Sequence, residues 1–465
     1  MSNIYAVYRF LRNNLESGSH AVSFKKKYSC FKTYFFWFVV VLFLSSCSRP
    51  IAFSTVGKGW SNNSVNVVKF RKNALTTFGD YQFVAYYDQG NNLVLGKRKL
   101  NTSRWETLTT SFKGHAEDAH NSISIAVDGN GVLHVSWDHH NSKLKYARGL
   151  SPLSLKLGET QSMTGNLEEK VTYPEFYNLP NGNLLFFYRS GQSGRGNLVI
   201  NSYNVDTKQW QQIQNNLIDG EGQRSAYWQA CVDNFGTIHV SWIWRETWDV
   251  ETNHDLCYAK STDGGKTWRK SNGEKYELPI TLATAEYALK IPQNSNLINQ
   301  TAMVTDQHGA PFIASYWSDN KIPQYHVVYL SNGVWEKVNT GFRKTAFVLG
   351  GGGTKRIPIS RPDIFIDTFS INKKVNLIFR DAESGNRISL AHGGLKNNTP
   401  WKVINLTQKS VGEWEPNYDV SLWKSKGKLN VFVQDVTQID GEGVAKKEPT
   451  IIKILEIKDI TKLYN

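Results

Sequence analysis

The chain has 465 residues, 13% of them aromatic and 36 of them glycine, with a formal net charge of +14. That is enough apolar material to bury a large core, and the basic balance favours a polyanionic partner. No nucleic-acid-binding module is recognisable, so the charge points to an acidic polysaccharide and away from nucleic acid.

The first predicted element is a leader. Lys25, Lys26 and Lys27 precede an apolar run from Phe31 to Phe43, too short for a comfortable membrane span, which closes on Leu44-Ser45-Ser46-Cys47. A basic region, a short apolar region and small residues describe an export signal. The last four residues also resemble the site at which bacterial lipoproteins are cleaved and acylated. The expected organisation is a leader over residues 1–46 and a mature protein anchored to the membrane by lipid on Cys47. Its place would be the periplasm or the cell surface of a Gram-negative bacterium; an uncleaved signal anchor is the alternative. Cleavage removes six basic residues and one acid, leaving a net charge of +9.

Five of the eleven histidines follow between Gly114 and Arg148: His115, His120, His134, His139 and His140. Ile123, Ile125 and Val127, then Val132, Val135 and Trp137, predict two short strands joined by the turn Asp128-Gly129-Asn130-Gly131. His120 stands just before the first strand and His140 just after the second. A hairpin brings both imidazoles to one end of a sheet. Histidine titrates near neutrality, so the two are a candidate proton-transfer pair.

The next unit, Thr172 to Asn197, repeats the layout, with Tyr173 before its first strand and Arg189 after its second. A third, Arg224 to Trp248, carries Tyr227 at its start and Arg245 at its end. Matching ends of successive units thus hold His/His, Tyr/Arg and Tyr/Arg, as an active site assembled from repeated sheets would. Cys231 and Cys257 suit a disulfide or, with His254, part of a metal site. Two cysteines and one histidine are not a closed ligand set, so no metal or other cofactor is expected. Ser261 to Trp268 reads Ser-Thr-Asp-Gly-Gly-Lys-Thr-Trp, the Asp-box turn of sialidase-type propellers, a marker of fold and not of chemistry. Gly350 to Gly353 predict an inter-blade loop, since no P-loop pattern closes around them. Lys355, Arg356 and Arg361 beside it are candidates to meet sulfate groups.

One apolar-aromatic strand recurs along the whole chain: Val84 to Tyr86, Val135 to Trp137, Phe186 to Tyr188, Val240 to Trp242, Ala314 to Tyr316, Ile378 to Arg380 and Val431 to Val433. Seven copies separated by turn signals, with no sustained helical periodicity, predict an all-β, seven-bladed β-propeller of four antiparallel strands per blade. It should form a single domain over residues 55–465, because radial repetition lets one domain exceed the usual size. A β-sandwich is the alternative fold.

The motifs GH-x-x-D-x-HN, SWDHH, TYP followed by YR-x-G-x-SG, and NHD-x-x-YA-x-S-x-DGG-x-TW, taken in order, resemble the propeller-type polysaccharide lyases of the BNR-repeat class, the ulvan lyases above all. The resemblance covers most of the chain after about residue 60. It implies a seven-bladed propeller that cleaves a uronic acid-containing, often sulfated polysaccharide by β-elimination. It makes His120 and His140 the catalytic histidines, Tyr173 and Arg189 their tyrosine and arginine, and Tyr227 a further active-site tyrosine. His139 competes with His140 for the second position; strand alternation sets Asp138 and His140 on one face and Trp137 and His139 on the other, which favours His140. Arg245, His254 and His139 are candidate contacts for the sugar chain. The leader is no part of the resemblance.

The chemistry asks for these residue types. Elimination removes the proton at C5 of a uronate and expels the C4 oxygen, and that proton is barely acidic while the carboxylate stays anionic. A guanidinium grips and neutralises the carboxylate, a neutral histidine takes the proton, and a tyrosine protonates the leaving oxygen. Two rivals share the fold. A sialidase-like hydrolase needs clustered arginines, for which Arg189, Arg245, Arg361 and Arg380 qualify by position, and a tyrosine–glutamate nucleophile. A non-catalytic glycan-binding lipoprotein needs only the aromatics and the charge.

Overall fold

The computed structural model describes residues 50–192, 196–367, 374–395 and 399–464. The leader and Cys47 lie outside the described residues. From Pro50 onward the chain forms one unit, built of seven antiparallel sheets. The seven recurring strands fall one to each sheet: Tyr81–Tyr87, Leu133–Trp137, Ile238–Arg245, Pro311–Trp317 and Lys374–Asp381 are second in theirs, Leu184–Ser190 is the middle of five, and Leu429–Val433 ends a sheet of three. These strands are covered on both faces; every residue of Leu133–Trp137 and Pro311–Trp317 is buried. That is why they read as continuous apolar runs. The outermost strands alternate instead, as Glu106–Lys113 does.

Four strands per blade holds for four sheets. Two sheets have three strands and one has five. The fifth strand explains much of the site. After Trp137 the chain turns through Asp138 and Asn141, both with positive φ. It leaves its own blade and lays His140–Ser142 against the inner strand of the next, Val171–Asn178, pairing Thr172 with His140. The last blade is closed by the first strand: Ile51–Gly59 runs antiparallel to Thr450–Ile457, from Ile51 opposite Ile457 to Gly59 opposite Thr450. Pairing the first and last described strands in one sheet ties the ring.

The core fills the spaces between blades, with Trp137, Trp228, Trp242, Trp244, Trp268 and Trp414 fully buried. The Asp-box is structural, as its sequence implies. Asp263 Oδ1 accepts from the backbone of Lys266 and Thr267, and Trp268 donates Nε1–H to Gly265 O beneath the turn. A second clamp repeats in blades two and four. Asp128 Oδ1 accepts from Asn130 N and Val132 N, while its Oδ2 meets His134 Nε2 at 3.2 Å; His134 Nδ1 lies 2.7 Å from Tyr146 Oη. Asp233, His239 and Tyr258 make the same set of contacts. Burial lowers the pKa of both histidines despite their aspartates.

Cys231 and Cys257 are free thiols, which corrects the disulfide reading. They pair in register with His239 and Trp242. Their sulfurs do not gather with His254 into a ligand set among the described residues.

Candidate active site

His120, His140, Tyr173, Arg189, Tyr227 and Arg245 all line one cleft of about 250 Å³. Each comes from the same end of its blade, where the chain enters or leaves an inner or second strand.

The two histidines stack, with ring centroids 4.2 Å apart and planes 19° from parallel. Phe70 covers the other face of His120 at 5.0 Å. Asp118, which sequence reasoning left without a role, holds both rings. Its Oδ1 lies 3.1 Å from His120 Nδ1, and its Oδ2 lies 2.6 Å from His140 Nδ1. The signal was present in the aspartate that closes GH-x-x-D. Burial opposes the Asp118 charge, but hydrogen bonds and positive charge from the two histidines outweigh it and hold the carboxyl far below the usual range. A carboxylate on Nδ1 fixes that nitrogen as the donor and leaves Nε2 as the basic one. No hydrogen bond occupies either Nε2 among the described residues.

Asp118, His120 and His140 are also the one cluster of three metal-ligating side chains among the described residues, with ligand atoms within 4.8 Å of one another. Both Nδ1 atoms are engaged by the Asp118 carboxylate, so a metal ion at this point would have to displace those hydrogen bonds.

Tyr173 sits 6.1 Å from His120, ring to ring. Its φ is +58°, a strained value for a bulky residue. The strain falls at a register shift between Thr172 and Glu175, and Pro174 spares the bulge an N–H without a ladder partner. This irregularity turns the ring out of the strand and into the cleft. Burial pushes the Tyr173 hydroxyl up to about 12, helped by Tyr227 and opposed by Arg189, Arg245 and Arg361. It therefore carries its proton at neutral pH.

Arg189 stacks its guanidinium on Tyr173 at 4.9 Å. It is 4% exposed, its Nε is buried without a partner, and no carboxylate pairs with it among the described residues. Arg245 stacks on Tyr227 at 4.6 Å in the same way. It is braced differently, by Asn253 Oδ1 at 2.8 Å, Asn299 Oδ1 at 2.5 Å and Tyr227 Oη at 3.4 Å. The other cations of the cleft are neutralised: Arg361 by both oxygens of Glu415 and Lys355 by Asp440. Arg356 pairs with Glu413. All three candidates for sulfate therefore already have a carboxylate neighbour, Arg356 remaining 66% exposed.

One further expectation is corrected, and one residue lies apart from this cleft. His139 is fully buried and turned into its own blade, with Nε2 near Ser136 Oγ and the Lys145 backbone, so it cannot touch a sugar. Burial drives its pKa down to about 4. His254 lies outside the cleft lining. It bridges Glu246 at 2.8 Å and Asp255 at 3.1 Å, and those carboxylates raise its pKa against the pull of burial. Arg380, one of the arginines a hydrolase would recruit, is buried and committed to the backbone carbonyls of Trp414, Pro358 and Ile357.

A model of the BNR repeat-containing family matches residues 81–342. Among curated proteins, the long isoform of ulvan lyase from Alteromonas sp. (strain LOR) is 22% identical over 271 residues, 44% of this chain and 27% of that protein. The short isoform from the same strain is 22% identical over 293 residues, 49% of this chain and 55% of that protein. The chain spans about a quarter of the long isoforms it matches and about half of the short one. Among solved structures, polysaccharide lyase Uly1 superposes with a TM-score of 0.64 at 16% identity, covering 88% of this chain and 99% of its own. A PL25 ulvan lyase bound to -[GlcA(1-4)Rha3S]- gives 0.62 at 14%, covering 85% and 97%. These structural likenesses establish the fold.

Proposed function

The chain belongs to the BNR repeat-containing family, and from that footing and the geometry of the cleft we propose that it is a polysaccharide lyase cleaving a uronic acid-containing, sulfated polysaccharide of the ulvan type by β-elimination. The observation that carries the reading is Arg189: a buried guanidinium, stacked on a tyrosine, with no carboxylate partner among the described residues. Burying an uncompensated cation is costly, and a substrate carboxylate would offset that cost where the reaction needs neutralisation.

In this reading the uronate carboxylate docks on Arg189, which lets negative charge build at C5. His120 Nε2 removes the C5 proton, its tautomer set by Asp118. The electron pair of the broken C–H bond forms the C4–C5 double bond, the C4–O bond breaks, and Tyr173 gives its proton to the leaving oxygen. His140 shares the Asp118 carboxylate and supports the base. Tyr227 and Arg245 hold the neighbouring sugar. No step calls on a metal.

The test is direct. Purified protein is mixed with ulvan and watched for the ultraviolet absorbance of a conjugated, unsaturated uronate. A rise supports elimination. Reducing ends released without absorbance would mean hydrolysis, and tight binding with neither would mean a lectin-like role. We further propose export as a lipoprotein anchored through Cys47. Cys47→Ala should then leave the membrane fraction or fail to be processed, whereas an unprocessed chain retained in the membrane would favour a signal anchor.

A further inference from the structure

One wall of the cleft is made by the loop between the second and third strands of blade four, Ile238–Arg245 and Asn253–Ser261, and by Gly352 and Gly353. On it Trp248 is 71% exposed. Every other tryptophan among the described residues is buried or half-buried, but an isolated exposed indole needs no explanation by itself. Three features set this one apart.

The indole lies against backbone. A Cβ added at Gly352 would stand 2.7 Å from Trp248 Cε3 and 3.3 Å from Trp248 O. Gly352 has no positive φ, so its lack of a side chain serves the close approach and not the turn. The loop that carries the indole is also braced on both flanks. Glu246 is held by Arg224 at 2.9 Å and His254 at 2.8 Å. Asp249 Oδ1 accepts from Gly351 N at 2.9 Å, and Val250 N donates to Gly351 O at 3.0 Å. Finally, the braced ring lines the same cleft as Tyr173 and Arg189. A flat apolar surface, supported from behind, fixed in place and left open toward a polar cleft, matches the face of a pyranose ring whose C–H bonds point one way.

We propose that Trp248 is a specificity-determining platform on which a neutral or deoxy sugar, adjacent to the reacting uronate, stacks its C–H face. Gly352 and the Glu246 brace hold that platform in position. This rests on the reading of the cleft as a polysaccharide site, and it adds a requirement for the neighbouring sugar that Arg189 cannot impose. Through Glu246, His254 is one of the groups that anchor this loop.

The experiment measures kcat and KM separately with ulvan for Trp248→Ala, Trp248→Phe and Gly352→Ala. Trp248→Ala should raise KM about tenfold, the scale of one aromatic contact, with kcat within a factor of about two. Trp248→Phe should recover most of the affinity. Gly352→Ala should resemble Trp248→Ala, because the new methyl displaces the indole. Since the side chain is mostly exposed, Tm should not move in Trp248→Ala. Unchanged KM in Trp248→Ala, or a fall in kcat alone, would overturn the proposal. The same variants are titrated with uncleaved ulvan by calorimetry, which separates this proposal from the lyase reading. Trp248-dependent binding by a protein that eliminates nothing would sustain the platform and defeat the lyase. Elimination with binding indifferent to Trp248 would do the reverse.

Discussion

The same three kinds of side chain, aspartate, histidine and tyrosine, are used twice in this propeller with opposite outcomes. In the clamp of blade two, Asp128, His134 and Tyr146 satisfy one another completely, the imidazole is buried, and both ring nitrogens are occupied. In the cleft, Asp118 takes only the Nδ1 side of His120 and His140, and Tyr173, on a strained backbone, lines the cavity. Chemistry is available where hydrogen-bonding capacity is left unspent beside a cavity. Where it is spent, the same residues hold a turn to a strand.

The largest effect expected from this contrast is a double dissociation. His120→Ala and Tyr173→Phe should lower kcat by about 10²–10⁴ with little change in Tm. His134→Ala should leave the kcat of folded protein near native but cost about 3 kcal/mol, because Asp128 and Tyr146 lose their buried partner. Steady-state kinetics and thermal denaturation on the same preparations decide it. A His120 variant that keeps full elimination activity would end the assignment.

Next comes the pair of stacked arginines. Arg189→Ala should lower kcat and raise KM together, since the uronate carboxylate gains charge density as the proton leaves. Arg245→Ala, whose guanidinium is braced by Asn253 and Asn299, should chiefly raise KM. Equal kinetic signatures for the two would erase the distinction between them.

Asp118→Asn keeps the shape of the carboxylate but not its charge, and an amide can donate where only an acceptor fixes the tautomer. The expected loss in kcat is about 10²-fold, the low end for a proton-transfer group, with KM near native.

The smallest expected effect concerns His139, neighbour of His140 in sequence and its opposite in environment. Its folded pKa is depressed from 6.5 to about 4 by burial. The unfolded chain therefore binds a proton below about pH 6.5 that the folded chain refuses, and stability falls from there until the pH reaches about 4. For one such buried group the loss is on the order of 3 kcal/mol. His139→Gln should flatten the acid side of the Tm-against-pH curve. An unchanged curve would place the acid sensitivity on His134, His239 or His392, which burial also depresses.

Much of the architecture was legible before any coordinates. Strands buried on both faces must be continuously apolar, so seven copies of one such strand announce seven blades. The approach of His120 to His140 and the matching placement of Tyr173/Arg189 and Tyr227/Arg245 follow from repetition, because equivalent ends of repeated sheets face one channel. Local sequence could not give what depends on where the chain goes next. His140 shares a cleft with Tyr173 because its short strand crosses to the neighbouring blade and stands opposite Thr172. His139 is lost to the core because the turn at Asp138 rotates it inward. Asp118 gains its role only when two histidines separated by twenty residues close on one carboxylate. Arg361, Lys355 and Arg356 read as free positive charge, yet Glu415, Asp440 and Glu413 arrive from 54 to 85 residues away to neutralise them. Periodicity is written in neighbouring residues, so the sequence determines the blades and the ends that face each other. Which polar groups remain unsatisfied there depends on partners distant in the chain, and that was decided by tertiary structure alone.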